Sequence, residues 1–255
     1  HAATLYLGQK NGASMAAYVA TEVPLREVDK RLLDVFCANI SVCARNLALL
    51  NKLHTDAYID PLMKLPNRMR FMEDVSASQQ AGRPGMAIVV LDIDDFAAVN
   101  DLMGHAYGDA LLLSMAQRLR EQLGHGVELA RVSSNAFGLL GTCQQIAPER
   151  LQLALQAPLL IEGKPHRVSV TGGIAELDSS SLKGEEWVKN ASIALKHAKR
   201  QSRGSFEHYS VDLANQARSR AQLLADLHEA FDAHRLFSAF QPQVNLRTGA
   251  LIGLE

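Results

Sequence analysis

The sequence predicts an α+β fold in which an antiparallel sheet is flanked by helices, with a long N-terminal helix. Apolar runs of strand length, such as "GMAIVVLDI", alternate with segments whose apolar residues recur at three- and four-residue steps, as in amphipathic helices. Two strands lie close together around the turn "SSNA", and strands joined by so short a turn must be antiparallel. The central order βααββαβαβ is typical of the α+β class.

Composition narrows the class of protein. The chain has 255 residues, 47% of them hydrophobic, which is enough to bury a core in one large or two smaller domains. A net charge of −1 gives no basic footprint for nucleic acid. No uninterrupted apolar run approaches the ~20 residues of a membrane span, so we expect no membrane segment. Three cysteines without CxxC spacing indicate a reducing compartment, and we expect a cytoplasmic location.

The N-terminal segment predicts a short strand, "AATLYL", and then one long helix over residues 25–57. Its apolar residues form a stripe along one side. They are Val28, Leu32, Phe36, Ile40, Cys43, Leu47 and Leu50. Such a helix either packs on its own domain or joins two protomers as a parallel coiled coil. We favour a homodimer through this helix, because little of the chain precedes it that could cover the stripe.

The middle of the chain supplies the sheet and its helices. Pro61 and Pro66 end the long helix, and a new helix is predicted near Asn67. A buried strand follows, then two helices joined by a glycine-containing turn, then the hairpin. "PERLQLALQAPLL" predicts a helix, "HRVSVTGGIAEL" a strand, "EEWVKNASIALKHAKRQSR" a helix and "FEHYS" a final strand. Residues 211–235 then predict an amphipathic helix, and two apolar runs around "NLRTG" predict a second hairpin.

Several polar residues could carry chemistry. Asp92 lies at the end of the strand "LDIDDF", where carboxylates suit Mg²⁺ and a bound phosphate, although they could also be simple solvated acids. Asn100 and Asp109 suit the hydrogen-bonding edge of guanine, or they could cap helices. Lys199 and Arg203 are spaced four apart, as on one helix face, and could hold a polyphosphate or form a solvated basic helix end.

Five segments in one order resemble the GGDEF domain, the bacterial diguanylate cyclase family. They are "DPLMKLPNR", "LDIDDFAAVNDLMGHAYGD", "ARVSSNAF", "VSVTGGIA" and "ALKHAKRQSRG", and they cover roughly residues 60–209. The resemblance implies a nucleotide-cyclase-like palm. It also implies Asp92 as a metal carboxylate, with guanine readers and phosphate binders at the remaining positions. The guanine readers are Asn100 and Asp109, and the phosphate binders are Lys199 and Arg203.

The turn that gives the family its name departs from the family pattern. Family members have Gly-Gly-Asp/Glu-Glu-Phe, whereas this chain has Ser133, Ser134, Asn135, Ala136 and Phe137. The resemblance implies that the third residue should be an acid that helps to hold Mg²⁺, and Asn is a poor substitute. We therefore predict no catalytic residues here and no diguanylate cyclase activity, with Mg²⁺ present only with bound GTP.

Two further family sites are also changed. Ala97 stands where a phosphate-binding Lys is common. Gly124 and Val127 stand at the Arg and Asp of the product-inhibition site, so we expect that site to be absent.

The two ends of the chain resemble other modules. "FSAFQPQVNLRTGALIGLE" looks like the opening of an EAL domain, the family of cyclic-di-GMP phosphodiesterases, with Gln241 and Pro242 in its first strand and Glu255 as a metal ligand. The N-terminal piece is similar to the end of a GAF-like sensor module. We predict a sensor remnant and dimer helix at 1–57, a GGDEF-like domain at 58–210, a linker helix at 211–235 and truncated EAL strands at 236–255.

The sequence supports three functional hypotheses. In the first, an inactive GGDEF-like domain of a bacterial cyclic-di-GMP signalling protein binds GTP and modulates a downstream EAL phosphodiesterase. In the second, the domain is a purely structural spacer and dimerisation element without a nucleotide ligand. In the third, residual cyclase activity survives because Asp94 or Asp95 supplies the missing metal ligand.

Overall fold

The chain begins with a two-stranded antiparallel hairpin and a long helix in the computed structural model, which describes residues 2–10, 13–178 and 182–255. Strands β1 (Ala2–Lys10) and β2 (Ala13–Ala20) form the hairpin, and α1 (Glu27–Tyr58) is the helix. The predicted helix over 25–57 is therefore confirmed.

The apolar stripe of α1 faces solvent. Phe36 is 63% exposed and Leu47 is 62% exposed. Helix α1 also has the length and composition of a membrane span, with a mean hydropathy of 1.4 in its most apolar stretch. Charged residues such as Asp34 and Arg45 lie within this helix and divide its apolar residues into shorter runs. The expected absence of a membrane segment therefore stays a prediction.

The remaining elements follow the predicted order, with one addition. After α2 (Arg68–Gln80) come β3 (Met86–Ile93), α3 (Phe96–Met103), α4 (His105–Leu123), β4 (Glu128–Arg131), β5 (Ala136–Thr142), α5 (Pro148–Gln156), β6 (Leu159–Ile161), β7 (Lys164–His166), β8 (Val170–Glu176), α6 (Gly184–Gln201) and β9 (Phe206–His208). The added hairpin β6–β7 turns at Glu162 and Gly163, both with positive φ. Three-residue strands are too short for their periodicity to be recognised.

The main sheet has the strand order β4-β5-β3-β8-β9. Four of its strands pair antiparallel, as predicted, but β9 runs parallel to β8. The expectation of a purely antiparallel sheet is therefore wrong at this edge. Helix α6 lies between β8 and β9 in the chain, and it returns the backbone to the same end of the sheet before β9 begins.

Helices cover both faces of this sheet, which confirms the predicted class. All eight residues of β3 are buried, because each face packs against a helical layer. Side chains such as Val89 and Leu91 pack with α4 and α5, whereas Ile88 and Val90 pack with α2 and α6. The buried core on both faces of β3 therefore fixes the position of the acidic residues at the end of this strand.

The C-terminal part consists of α7 (Val211–Asp232) and an antiparallel hairpin of β10 (Pro242–Val244) and β11 (Leu251–Leu254). Ser210 caps α7 by accepting a hydrogen bond from the Leu213 amide. Apolar side chains along this part are exposed, including Phe231 at 68% and Phe237 at 88%. The predicted helix and hairpin are confirmed, whereas the proposed domain boundaries stay predictions.

Candidate functional site

The end of β3 places three carboxylates beside the helix α6 and the turn before β5. Asp92 and Asp94 are both buried, each with 8% exposure, and Asp95 is exposed. The alternative of solvated acids at a strand end is therefore wrong for Asp92 and Asp94. A buried carboxylate requires partners, and each of these two has them.

Asp92 is held by a cation and an amide. The ammonium of Lys199 lies 2.5 Å from Oδ1 of Asp92, and Nδ2 of Asn135 donates to the same oxygen over 2.9 Å. Burial raises the pKa of the Asp92 carboxyl, and the contacts with Lys199 and Asn135 oppose that rise. Asp92 and Lys199 thus form an ion pair at the centre of the site, although they are 107 positions apart in the sequence.

Asp94 is held by neutral donors just before and within β8 and in the loop after α6. The hydroxyl of Ser169 donates to Oδ2 over 2.6 Å, and that of Thr171 donates to Oδ1 over 2.7 Å. The Gly204 amide donates to Oδ2 over 3.2 Å. Both oxygens of Asp94 are therefore engaged, and Oδ2 holds the loop that carries Arg203 through the Gly204 amide.

Arg203 reaches the site from outside the helix. Its guanidinium pairs with Asp95, which begins α3 in a left-handed conformation with φ of 54°. The expectation that Lys199 and Arg203 share a helix face is wrong, because α6 ends at Gln201 and Ser202 is extended. Positive φ at Gly204 lets the loop turn back, so the two cations still meet the acids of β3.

The turn from Ser133 to Asn135 has a backbone that tolerates side chains. The four non-glycine residues with positive φ in the described chain lie elsewhere, so serine brings no left-handed strain here. The Arg131 guanidinium donates to the carbonyls of Ser133 and Ser134 and to the buried carboxylate of Asp60. The two serines are exposed, and Asn135 is half-buried against Asp92.

The turn is also fixed to β5 by backbone bonds. The Val132 amide donates to the Ala136 carbonyl over 2.9 Å, and Ala136 is the register partner of Asp92. Phe137 is fully buried in the core, so the residue that this chain shares with the family signature anchors the strand. Serine at the two positions where the resemblance implies glycine is therefore compatible with this hairpin.

The two predicted guanine readers lie in helix interiors. Asn100 is within α3 and Asp109 within α4, and Gly104 caps both helices, so the alternative of helix capping is wrong. The side-chain oxygen of Asn100 is buried without a hydrogen-bond partner, and a Cβ on Gly108 would lie 1.9 Å from it. An unpaired buried acceptor can take a donor from a ligand.

Glu255 lies apart from these residues. It is exposed at the end of the chain, its backbone pairs with Gln241, and its Oε2 accepts a 3.4 Å bond from Gln243. The structure therefore places Glu255 in the terminal hairpin, separate from the acids at the end of β3.

The donor set around Asp92 does not fit a magnesium ion. Within the described residues, no three His, Cys, Asp or Glu side chains cluster so as to hold a metal. Lys199 and Asn135 both occupy Oδ1 of Asp92, and Asp94 has both oxygens bonded. A site for Mg²⁺ normally offers several free oxygen ligands.

Sequence reasoning missed three kinds of residue here. Thr171 and Gly204, which support Asp94, have no distinctive spacing relative to it, since they lie on other elements. Arg131 lies beside the signature turn, but its partner Asp60 is 71 residues away in the sequence, so no local pattern reveals the pair. Gly108 could have been suspected, because a glycine inside a helix usually marks a close approach.

Comparisons with known proteins agree with the architecture. A family model described as "Diguanylate cyclase, GGDEF domain" matches residues 57–205, and a domain of unknown function (DUF3369) matches residues 1–53. The GAF-like resemblance of the N-terminal piece stays a prediction.

Two curated relatives come from Pseudomonas aeruginosa. The bifunctional diguanylate cyclase/cyclic di-GMP phosphodiesterase MucR is 34% identical over 94% of this chain and 36% of its own length. The cyclic di-GMP phosphodiesterase NbdA is 29% identical over 85% of this chain and 30% of its own length. The chain thus spans about a third of the length of these relatives.

Two solved structures share the fold. The GGDEF domain of TpbB (YfiN) from P. aeruginosa is 27% identical, with a TM-score of 0.57 over 63% of this chain and 99% of that one. The coiled coil and GGDEF domain of DgcB from Caulobacter crescentus gives a TM-score of 0.59 over 72% of this chain and 100% of that one. Its 22% identity supports the fold alone.

Proposed function

Because the chain belongs to the diguanylate cyclase GGDEF domain family, we propose that its central domain is a catalytically inactive member that binds GTP. The observation that carries this proposal is the position of Asn135. It stands where the family has an acid, and its amide donates hydrogen bonds to Asp92 and to the Ile93 carbonyl. Phosphoryl transfer with bound metals needs anionic ligands, and Asn135 supplies none.

The remaining pocket keeps groups suited to a guanine nucleotide. A rotation of the Asn100 side chain would let its unpaired, enclosed oxygen accept from the guanine amine, and the exposed carboxylate of Asp109 can accept from N1–H and the same amine. Lys199 and Arg203 stand at the phosphate end, with side chains 34% and 58% exposed. These features support GTP as the ligand over ATP, because adenine has neither an N1–H nor a two-position amine to donate to these two acceptors.

We further propose that this domain modulates an EAL phosphodiesterase domain that begins at the C-terminal hairpin. The sequence match at Gln241, Pro242 and Glu255 supports it, as do the exposed apolar side chains of α7, which leave surface for a following domain. GTP can act on that domain only if it binds one arrangement of the two better than the other. A cytoplasmic location is part of this proposal.

A structural role is the second candidate, and the exposed stripe of α1 favours it. A coiled-coil homodimer would bury side chains such as Phe36 and Leu47. In this alternative the domain is a spacer, and the pocket residues bind no nucleotide. Phe36→Asp or Leu47→Asp should convert a dimer to a monomer in analytical ultracentrifugation, and an unchanged dimer would contradict the coiled coil.

The third candidate, residual cyclase activity, requires Asp94 or Asp95 as a metal ligand. Asp94 would have to give up its bonds to Ser169 or Thr171, and Asp95 its pairing with Arg203. These existing contacts weigh against it.

The deciding experiment is a calorimetric titration of the full chain with GTP and Mg²⁺, with cyclic-di-GMP production measured on the same sample. Micromolar binding without product supports the proposal, and Asp109→Ala should then abolish the heat while ATP gives none. No heat and no product would make the domain a scaffold. Product formation would overturn the claim that Asn135 abolishes catalysis.

A further inference from the structure

We propose that the ammonium of Lys199 takes the place of a metal ion at Asp92, so that this pocket binds a nucleoside triphosphate without any divalent cation. The inference rests on the proposed GTP binding and concerns how the phosphates are held. It follows from the contacts of Asp92, Asn135 and Lys199.

The first step is the position of the Lys199 charge. Its Nζ lies 2.5 Å from Oδ1 of Asp92, in the place where a cation bound by that oxygen would sit. An ammonium has three N–H donors, and the Lys199 side chain is 34% exposed, so donors remain for a ligand on the open side. A phosphate oxygen on that side would be bridged to Asp92 through Lys199, as it would be through a metal.

The second step is the effect of an amide at position 135. Two carboxylates this close would repel each other and would need a cation between them. Asn135 instead donates from Nδ2 to Asp92 and, over 3.2 Å, to the Ile93 carbonyl. These two acceptors orient the NH₂ group towards Asp92, and an NH₂ group cannot ligate a metal. The pair is therefore satisfied without one.

The third step is the balance of charge around the pocket. Arg203 pairs with Asp95, and Asp94 is satisfied by the neutral donors of Ser169 and Thr171. The Arg203 side chain is 58% exposed, and its guanidinium keeps donors for a second phosphate. Two cations, Lys199 and Arg203, therefore line the proposed phosphate site. The acids that would attract a metal already have hydrogen-bond or ion-pair partners.

The test compares three titrations of the full chain, with MgCl₂ alone, with GTP and EDTA, and with GTP and Mg²⁺. Thermal shift and calorimetry measure the response in each. We expect no response to MgCl₂ alone and a GTP dissociation constant that agrees within about twofold between EDTA and Mg²⁺. Lys199→Gln should weaken binding in EDTA at least tenfold. Lys196→Gln, an exposed change on the same helix, should leave binding unaltered.

Asn135→Asp supplies the converse measurement. Restoring the acid should create a stabilisation by MgCl₂ alone that the unmodified chain lacks, because two adjacent carboxylates then need a cation. If Asn135→Asp fails to fold, Lys199→Gln still decides the matter.

The results distinguish this inference from the proposed function. GTP binding that requires Mg²⁺ would overturn the inference and leave the proposed function standing. Stabilisation of the unmodified chain by MgCl₂ alone would also overturn it, because it would show that a divalent cation binds although Lys199 is present. Failure of GTP to bind in either buffer would overturn both.

Discussion

Replacing Gly173 with Ala should separate helix α6 from the sheet. A Cβ at Gly173 would lie 2.0 Å from the Ala191 carbonyl oxygen and 2.3 Å from the Leu195 amide nitrogen. Both atoms belong to the backbone of α6, so no side chain can rotate away to make room. The helix itself must withdraw by about 1 Å or more to reach ordinary contact distances.

The expected cost follows from this geometry. Overpacking a well-packed core usually costs 1–3 kcal/mol, and a clash with helix backbone should lie at the upper end, about 3 kcal/mol. For a domain of this size each kcal/mol lowers Tm by about 2–4 °C, which gives a loss of roughly 6–12 °C. The same helix carries Lys199, so its withdrawal should also lengthen the 2.5 Å contact with Asp92 and weaken GTP binding.

Urea denaturation followed by circular dichroism measures the stability, and calorimetry measures the nucleotide. Gly141→Ala is the matched control on β5, since its Cβ would meet side-chain methyls of Val127 and Ile146 at 3.2 and 3.3 Å. Those methyls can shift by tenths of an ångström, so we expect a cost of about 1 kcal/mol or less. A Gly173→Ala chain as stable as the unmodified one would refute the close packing of α6 on β8.

Three other substitutions test the site. Gly108→Ala should displace the Asn100 amide and weaken GTP binding about tenfold or more in calorimetry, while the urea midpoint changes little, since Ala favours a helix. Arg131→Met should cost about 2–4 kcal/mol in urea denaturation, because it leaves the buried Asp60 carboxylate without its cation, and an unchanged midpoint would contradict this. Asp92→Asn removes a carboxyl whose pKa burial raises, so the unmodified chain should lose stability relative to this variant as pH rises from the ordinary carboxyl pKa through the raised one. Urea midpoints of both chains across that range measure the difference, and parallel curves would refute it.

The sequence predicted elements with long periodic patterns well. Helix α1 and strand β3 have signals that extend over many residues, so their positions could be read from local pattern alone. The acidic end of β3 was also predictable, because polar residues that follow a buried run mark a strand end.

Features set by distant contacts were not predictable. The direction of β9 depends on where α6 delivers the chain, which no local pattern states. Arg203 was expected on a helix that in fact ends two residues earlier, since the helical spacing continues past the true end. The role of Asn135 as a donor required the register that places Ala136 opposite Asp92.

The segment that follows Arg203 has very little slack. The Gly204 amide bonds to Asp94 and the Ser205 carbonyl accepts from Gly172, and the Tyr209 amide bonds to Ile174 before α7 begins at Val211. This backbone is therefore anchored to β8 along most of its length. A movement of Arg203 cannot be taken up by a loose loop. A displacement of Arg203 would therefore be transmitted to β9 and to the first residues of α7.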